Sequence, residues 1–151
     1  MKNIYVTGYI GSDRKACAEE AAAQTGGTIV DLDKMIERND GRKIMRIVMM
    51  MGEHEYRNKE YEALEELSEQ EDLVVICSDG TLFDDMCREI MEAGEVRIAD
   101  AEKTAEELWQ NAKEDDSIPY AFMQMGSEDE KKTRFMKMYE ARKDLYKKYT
   151  K

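Results

Sequence analysis

The 151-residue sequence predicts a single α/β domain, residues 1–151, in which a mostly parallel sheet is covered by helices on both faces. Two observations carry this. Short apolar, β-branched runs alternate along the chain with longer stretches of helical period, separated by turns rich in glycine, aspartate and asparagine. The run Leu73 to Cys77 is also continuously apolar, as a strand buried on both faces requires.

Asn3 to Thr7 reads as the first strand, Gly8 and Gly11 punctuate a turn, and Arg14 to Gln24 reads as a helix closed by Gly26 and Gly27. Thr28 to Val30 is a second strand. It ends on Asp31-Leu32-Asp33, two carboxylates at the strand end where open α/β sheets bind ligands. Helical stretches at Met35–Arg38, Arg42–Met51 and Glu53–Glu69 follow, broken at Asn39-Asp40-Gly41 and at Gly52; Tyr56, Tyr61, Leu64 and Leu67 are the apolar positions of the longest. After Leu73–Cys77 and the turn Ser78-Asp79-Gly80 come a helix, Leu82–Ala93, a fourth strand, Val96–Ala99, and an acidic helix, Ala101–Lys113. Segment 114–126 holds the sole proline, Pro119, and no clear period, so it reads as an ordered loop or a mobile lid. Ser127 caps a last helix, 127–149, with Phe135, Met138, Tyr139, Arg142 and Tyr146 on one stripe.

Composition narrows the function classes. A net charge of −11 opposes nucleic acid as a partner. No apolar run approaches the roughly 20 residues that span a bilayer, and the start lacks a secretory pattern, so the expected location is cytoplasmic with no membrane partner. Cys17, Cys77 and Cys87 have neither disulfide nor zinc spacing and read as small buried residues. Met49-Met50-Met51 reads as adaptable core filler, and His54 as a surface residue.

The first turn has the frame of a phosphate-binding loop: strand, Gly8, Gly11, helix start. Beginning five residues after Gly8 such a loop places Gly-Lys-Ser/Thr, and here stand Asp13, Arg14 and Lys15. An acid replaces the glycine and the Mg²⁺-binding hydroxyl is gone, leaving Arg14 and Lys15 as the cations of a degenerate loop, 8–16. Asp31 and Asp33 read either as ligand groups or as solvated caps of the next helix. Arg57 has helix partners in reach at Glu53 and Glu60, so pairing competes with a ligand role.

Together, the glycine-turn start, DLDKMIERNDG at 31–41, GEHEYRNKE at 52–60, VVICSDG at 74–80 and YEARKDLY at 139–146 resemble the shikimate kinases, small members of the nucleoside-monophosphate-kinase fold. The resemblance implies a P-loop-type three-layer sandwich with about four parallel strands in the order 2-3-1-4, substrate-binding helices over 32–69 and a lid at 114–126. It also implies a fifth strand, an adenine-contacting loop and a terminal helix past Lys151, so the chain reads as a C-terminally shortened member. By similarity Asp33 takes the hydroxyls and stands nearest the reacting one, Arg57 and Arg142 clamp a carboxylate, Gly80 offers a backbone N–H, and Asp31 lies near Mg²⁺. The lid arginines of the family correspond to Asn111 and Ile118, and the family's glycine turn to Ser78-Asp79-Gly80. The expectation is a non-catalytic or weakly active relative that binds a small carboxylate or shikimate-like ligand without a cofactor. Two alternatives stand beside it: an active, Mg-ATP-dependent shikimate kinase with an atypical loop, and an interaction module with a protein partner and no ligand.

Overall fold

All four residues of the first strand, Ile4–Thr7 (β1), are buried, because strands lie on both sides of it in the sheet and helices on both faces. The structure is a computed structural model and describes residues 2–115 and 118–150. Parallel strands Thr28–Asp31 (β2), Leu73–Ile76 (β3) and Glu95–Ile98 (β4) complete a sheet in the order β2-β3-β1-β4, with Tyr5 level with Val75 on one side and Val96 on the other. Buried Asn3 sets the start of this register: its side chain accepts from the Leu73 amide at 3.0 Å and donates to the Gln70 carbonyl at 2.9 Å.

Period-two alternation splits the core. Ile4, Val6 and Val74 face the small residues Ala18 and Ala21 of helix α1 (Arg14–Thr25), which lets that helix sit close to the sheet. Tyr5 and Val75 face the larger cluster. That cluster is built by α2 (Leu32–Asp40), α3 (Ile44–Met51), α4 (Glu53–Ser68), α5 (Asp85–Ala93), α6 (Ala105–Ala112) and α8 (Glu128–Lys147).

Helix boundaries depart from the sequence reading where caps decide them. Asp31 caps α2, so that helix runs from Leu32 to Asp40 rather than from Met35. Thr104 and Glu107 form a capping box that starts α6 after a turn at 101–103, and Leu82 belongs to a 3-10 turn, Thr81–Phe83, ahead of α5. Within 114–126, residues 116–117 fall outside the described residues. Ile118, Tyr120 and Met123 are buried, and a short helix, Ala121–Gln124 (α7), packs on α8. The methionine run is a correction: Met49, Met50 and Met51 are exposed, because α3 turns only Ile44 and Ile47 into the core. Cys77 and Cys87 are buried and Cys17 is half-buried, while His54 is exposed.

Candidate active site

The C-terminal ends of β1, β2 and β3 open onto a crevice of about 540 Å³. A larger cavity, about 830 Å³, lies at the opposite end of the sheet beside Lys2, Asn3, Glu71 and Gly94. The crevice is where Gly11, Arg14 and Asp33 of the sequence-predicted residues converge.

On its β1 side the turn is held tightly. Gly11 has φ +90°, and a Cβ there would collide with the Leu108 carbonyl of α6, so glycine is required on both counts. Asp13 caps α1, its carboxylate accepting from the Ala16 amide at 2.9 Å, and its own N–H donates to the Asp100 carboxylate at 2.7 Å. Arg14 turns the other way and donates to the Cys77 carbonyl at 3.3 Å; among the described residues no carboxylate lies within ion-pair distance of it. Lys15 is exposed.

At the end of β2, Asp31 accepts from the Lys34 amide as the α2 cap, the helix-capping role that its sequence left open. Asp33, on the first turn of α2, lines the crevice and accepts from the Tyr56 hydroxyl at 2.7 Å. Burial pushes its carboxyl up to about 7, against the Tyr56 hydrogen bond and the Arg14 charge, which pull it down.

Across the crevice lies a buried polar network. Glu60, fully buried on α4, accepts from the Ser78 hydroxyl at 2.9 Å, the Thr81 hydroxyl at 2.8 Å and Arg57 at 2.8 Å. Arg57 also donates to Ser78 Oγ at 3.0 Å and to the Tyr120 hydroxyl at 2.8 Å. Tyr120 in turn donates to the Asp79 carboxylate at 2.9 Å, which Arg142 of α8 also holds, while Tyr146 donates to the Asp79 carbonyl. Burial opposes the charge on both guanidiniums, yet Glu60 keeps Arg57 and Asp79 keeps Arg142 more firmly protonated than usual. Burial likewise opposes the charge of Asp79, but Arg142, Arg14 and Arg57 hold its carboxyl below the ordinary carboxylate range. Tyr9, stacked on Tyr139 at 4.4 Å between ring centroids, docks α8 on the first turn and so fixes where Arg142 reaches.

Of the sequence-predicted residues, Gly11, Arg14 and Asp33 line the crevice, whereas Arg57 and Arg142 reach it only through the lining residues Ser78 and Asp79 that they hold. Two expectations change in meaning. Gly80 is buried beneath Arg57, and a Cβ there would strike the guanidinium, so its glycine is a matter of close approach. Neither Arg57 nor Arg142 waits for a ligand: each has an acid of the chain as partner. Glu60 was legible as an acid on an otherwise apolar stripe, four residues after Tyr56. Tyr120 carried no sequence signal, because its partners lie 41 and 63 residues away.

A family model described as shikimate kinase matches residues 11–151. The chain is 30% identical to the shikimate kinase of Persephonella marina over 97% of its own length and 84% of that protein. It is 35% identical to the Salinibacter ruber shikimate kinase over 56% of this chain and 42% of that one, and 38% identical to a Sulfurihydrogenibium shikimate kinase over 53% and 48%. In these two matches the shared stretch is less than half of the relative. Among solved structures, shikimate kinase from Acinetobacter baumannii in complex with shikimate superposes with a TM-score of 0.82 at 25% identity, covering 99% of this chain and 80% of that one. The Bacteroides thetaiotaomicron shikimate kinase shares the fold with the same TM-score at 21% identity, over 98% and 83%.

Proposed function

The chain belongs to the shikimate kinase family, and from that premise we propose that its crevice binds a small polyhydroxylated molecule through Asp33, with little or no phosphoryl transfer from Mg-ATP. One observation carries this reading: the backbone donors at 13 and 16, which a phosphate at this turn would take, are already held by the carboxylates of Asp100 and Asp13. Asp13 also puts a negative charge at the N-terminus of α1, where an incoming phosphate would sit. Asp31, which the resemblance puts near Mg²⁺, is engaged as the cap of its own helix. The residues present therefore do not fit Mg-ATP, and no transfer step follows from them.

The acceptor side supports ligand binding. Asp33 faces the crevice with one oxygen engaged by Tyr56 and a carboxyl that titrates near neutrality, so a ligand hydroxyl donating to it favours the ionised form. Tyr56 and the packing of α2 on α4 hold that carboxylate in place.

The second reading is an active kinase for shikimate or a related alcohol. It is supported by the names of the relatives, by Arg14 standing in the loop's lysine position, and by a carboxyl near pKa 7 suited to accept a hydroxyl proton. Calorimetry with Mg-ATP and with shikimate-type ring ligands, beside a coupled turnover assay, separates the two. Ring binding that Asp33→Asn weakens at least about tenfold, without tight nucleotide binding, is the expected result. Micromolar Mg-ATP binding with sustained turnover would establish the kinase and overturn the proposal.

A further inference from the structure

One cation of the crevice has no acid as its partner. Arg14, half-buried on the first turn of α1, lines both the crevice and a groove of about 730 Å³ that shares Ser12, Arg14 and Asp33 with it. Among the described residues no carboxylate pairs with its guanidinium, and its hydrogen bond to the Cys77 carbonyl, 3.3 Å long, uses Nη1 alone. Nε and Nη2 are uncommitted. The acids beside it in these linings are engaged by other groups: Asp13 caps α1, Asp31 caps α2, Asp33 accepts from Tyr56, Glu37 accepts from the Ile44 amide, and Asp79 is held by Arg142 and Tyr120. Lys15 and Lys34 line the groove as well, and among the described residues neither pairs with an acid.

The two arginines that the resemblance gives to a ligand carboxylate stand differently. Arg57 pairs with Glu60 and Arg142 with Asp79, and neither lines the crevice. A carboxylate taken up by them must first break a buried ion pair and leave its acid uncompensated. At Arg14 it breaks no ion pair and meets a guanidinium fork that matches its two oxygens. Asp33 lines the same crevice, and the Arg14 charge is felt at its carboxyl, which it pulls down against burial. We propose that Arg14, at a loop position that otherwise serves phosphate, is the carboxylate-binding group of this crevice, and that its ligand is a hydroxylated ring held by Asp33 through a hydroxyl and by Arg14 through a carboxylate. This rests on the reading above that the crevice binds a hydroxylated molecule, and it assigns that molecule's anionic group.

The test uses one ring with and without its charge: shikimate and its methyl ester, titrated calorimetrically into the full chain. The wild type binds the acid at least about tenfold more tightly than the ester. Arg14→Gln and Arg14→Met, checked for folding by near-ultraviolet circular dichroism, each bring the two affinities to within about threefold of one another. The ratio is the readout because loss of the Arg14 charge also shifts Asp33, which acts on acid and ester alike. A wild-type preference for the acid below about tenfold overturns the inference and leaves the hydroxyl site standing. A preference that stays above about threefold in a folded variant also overturns it, and returns the carboxylate to Arg57 and Arg142. Binding of neither acid nor ester to the wild type removes the hydroxyl-binding reading, and this inference with it. The wild-type comparison can overturn the inference even if neither variant folds.

Discussion

Replacing Asp33 by asparagine tests the site at a carboxyl that burial raises far above its ordinary range. Burial raises the Asp33 carboxyl from 3.8 to about 7, so between those values the folded protein keeps a proton that the unfolded chain has released. The folded state binds more protons there, and stability falls as pH rises through that window. The contribution is fully present below about pH 4 and lost above about pH 7. A shift of about three units corresponds to about 4 kcal/mol at most. Asparagine can still accept from Tyr56 but has no charge to desolvate. The variant is therefore similar to the wild type in stability at pH 4, and more stable by up to about 4 kcal/mol at pH 8. Urea unfolding at pH 4, 6 and 8, followed by circular dichroism, measures the difference. A difference that stays constant across those pH values would refute the argument, because it would mean that Asp33 ionises normally. Ligand binding carries the opposite sign: affinity for a neutral hydroxylated ring rises with pH and levels off above about 7, as Asp33 becomes ionised.

Other expectations follow from single contacts. Glu60→Ala removes the buried carboxylate to which Arg57, Ser78 and Thr81 all donate and lowers stability by about 3 to 5 kcal/mol in urea titrations, whereas Glu60→Gln, which keeps an acceptor, costs less. Gly11→Ala forces a β-carbon onto the Leu108 carbonyl in a left-handed conformation; a cost of about 2 kcal/mol lowers Tm by about 6 °C in calorimetry. Asp13→Gly gives up a side-chain cap for a few tenths of a kcal/mol and frees the Ala16 amide, so affinity for Mg-ATP rises at least about threefold by calorimetry; an unchanged affinity would show that Asp13 is not what keeps phosphate out.

Several of these features were legible in the chain. The alternation of apolar runs with helical stretches gave the strands, and Asp33 stood out because it ends a strand at a ligand-binding edge. The acids at 13 and 79 were visible as misfits in two glycine turns, but not their consequence. The same line of letters fits an open loop with a stray charge and a closed one in which that charge caps a helix, and Asp13 chose the second by reaching Ala16. The reading of Met49–Met51 as core filler failed for a related reason: composition says that methionine can fill a core, but only the position of α3 on α4 decides which of its faces is covered.

By itself the sequence determined the order of elements, the parallel sheet and the crevice at its strand ends, because hydrophobic period and glycine turns act over a few neighbouring residues. It also contained the Arg57–Glu60 pair, three residues apart on one helix. Only the tertiary structure decided that Arg142 meets Asp79, 63 residues away, with Tyr120 between Asp79 and Arg57. A buried charge takes whichever partner the fold brings within reach, and that choice is made where the turn after β3, the segment at 118–120 and α8 converge.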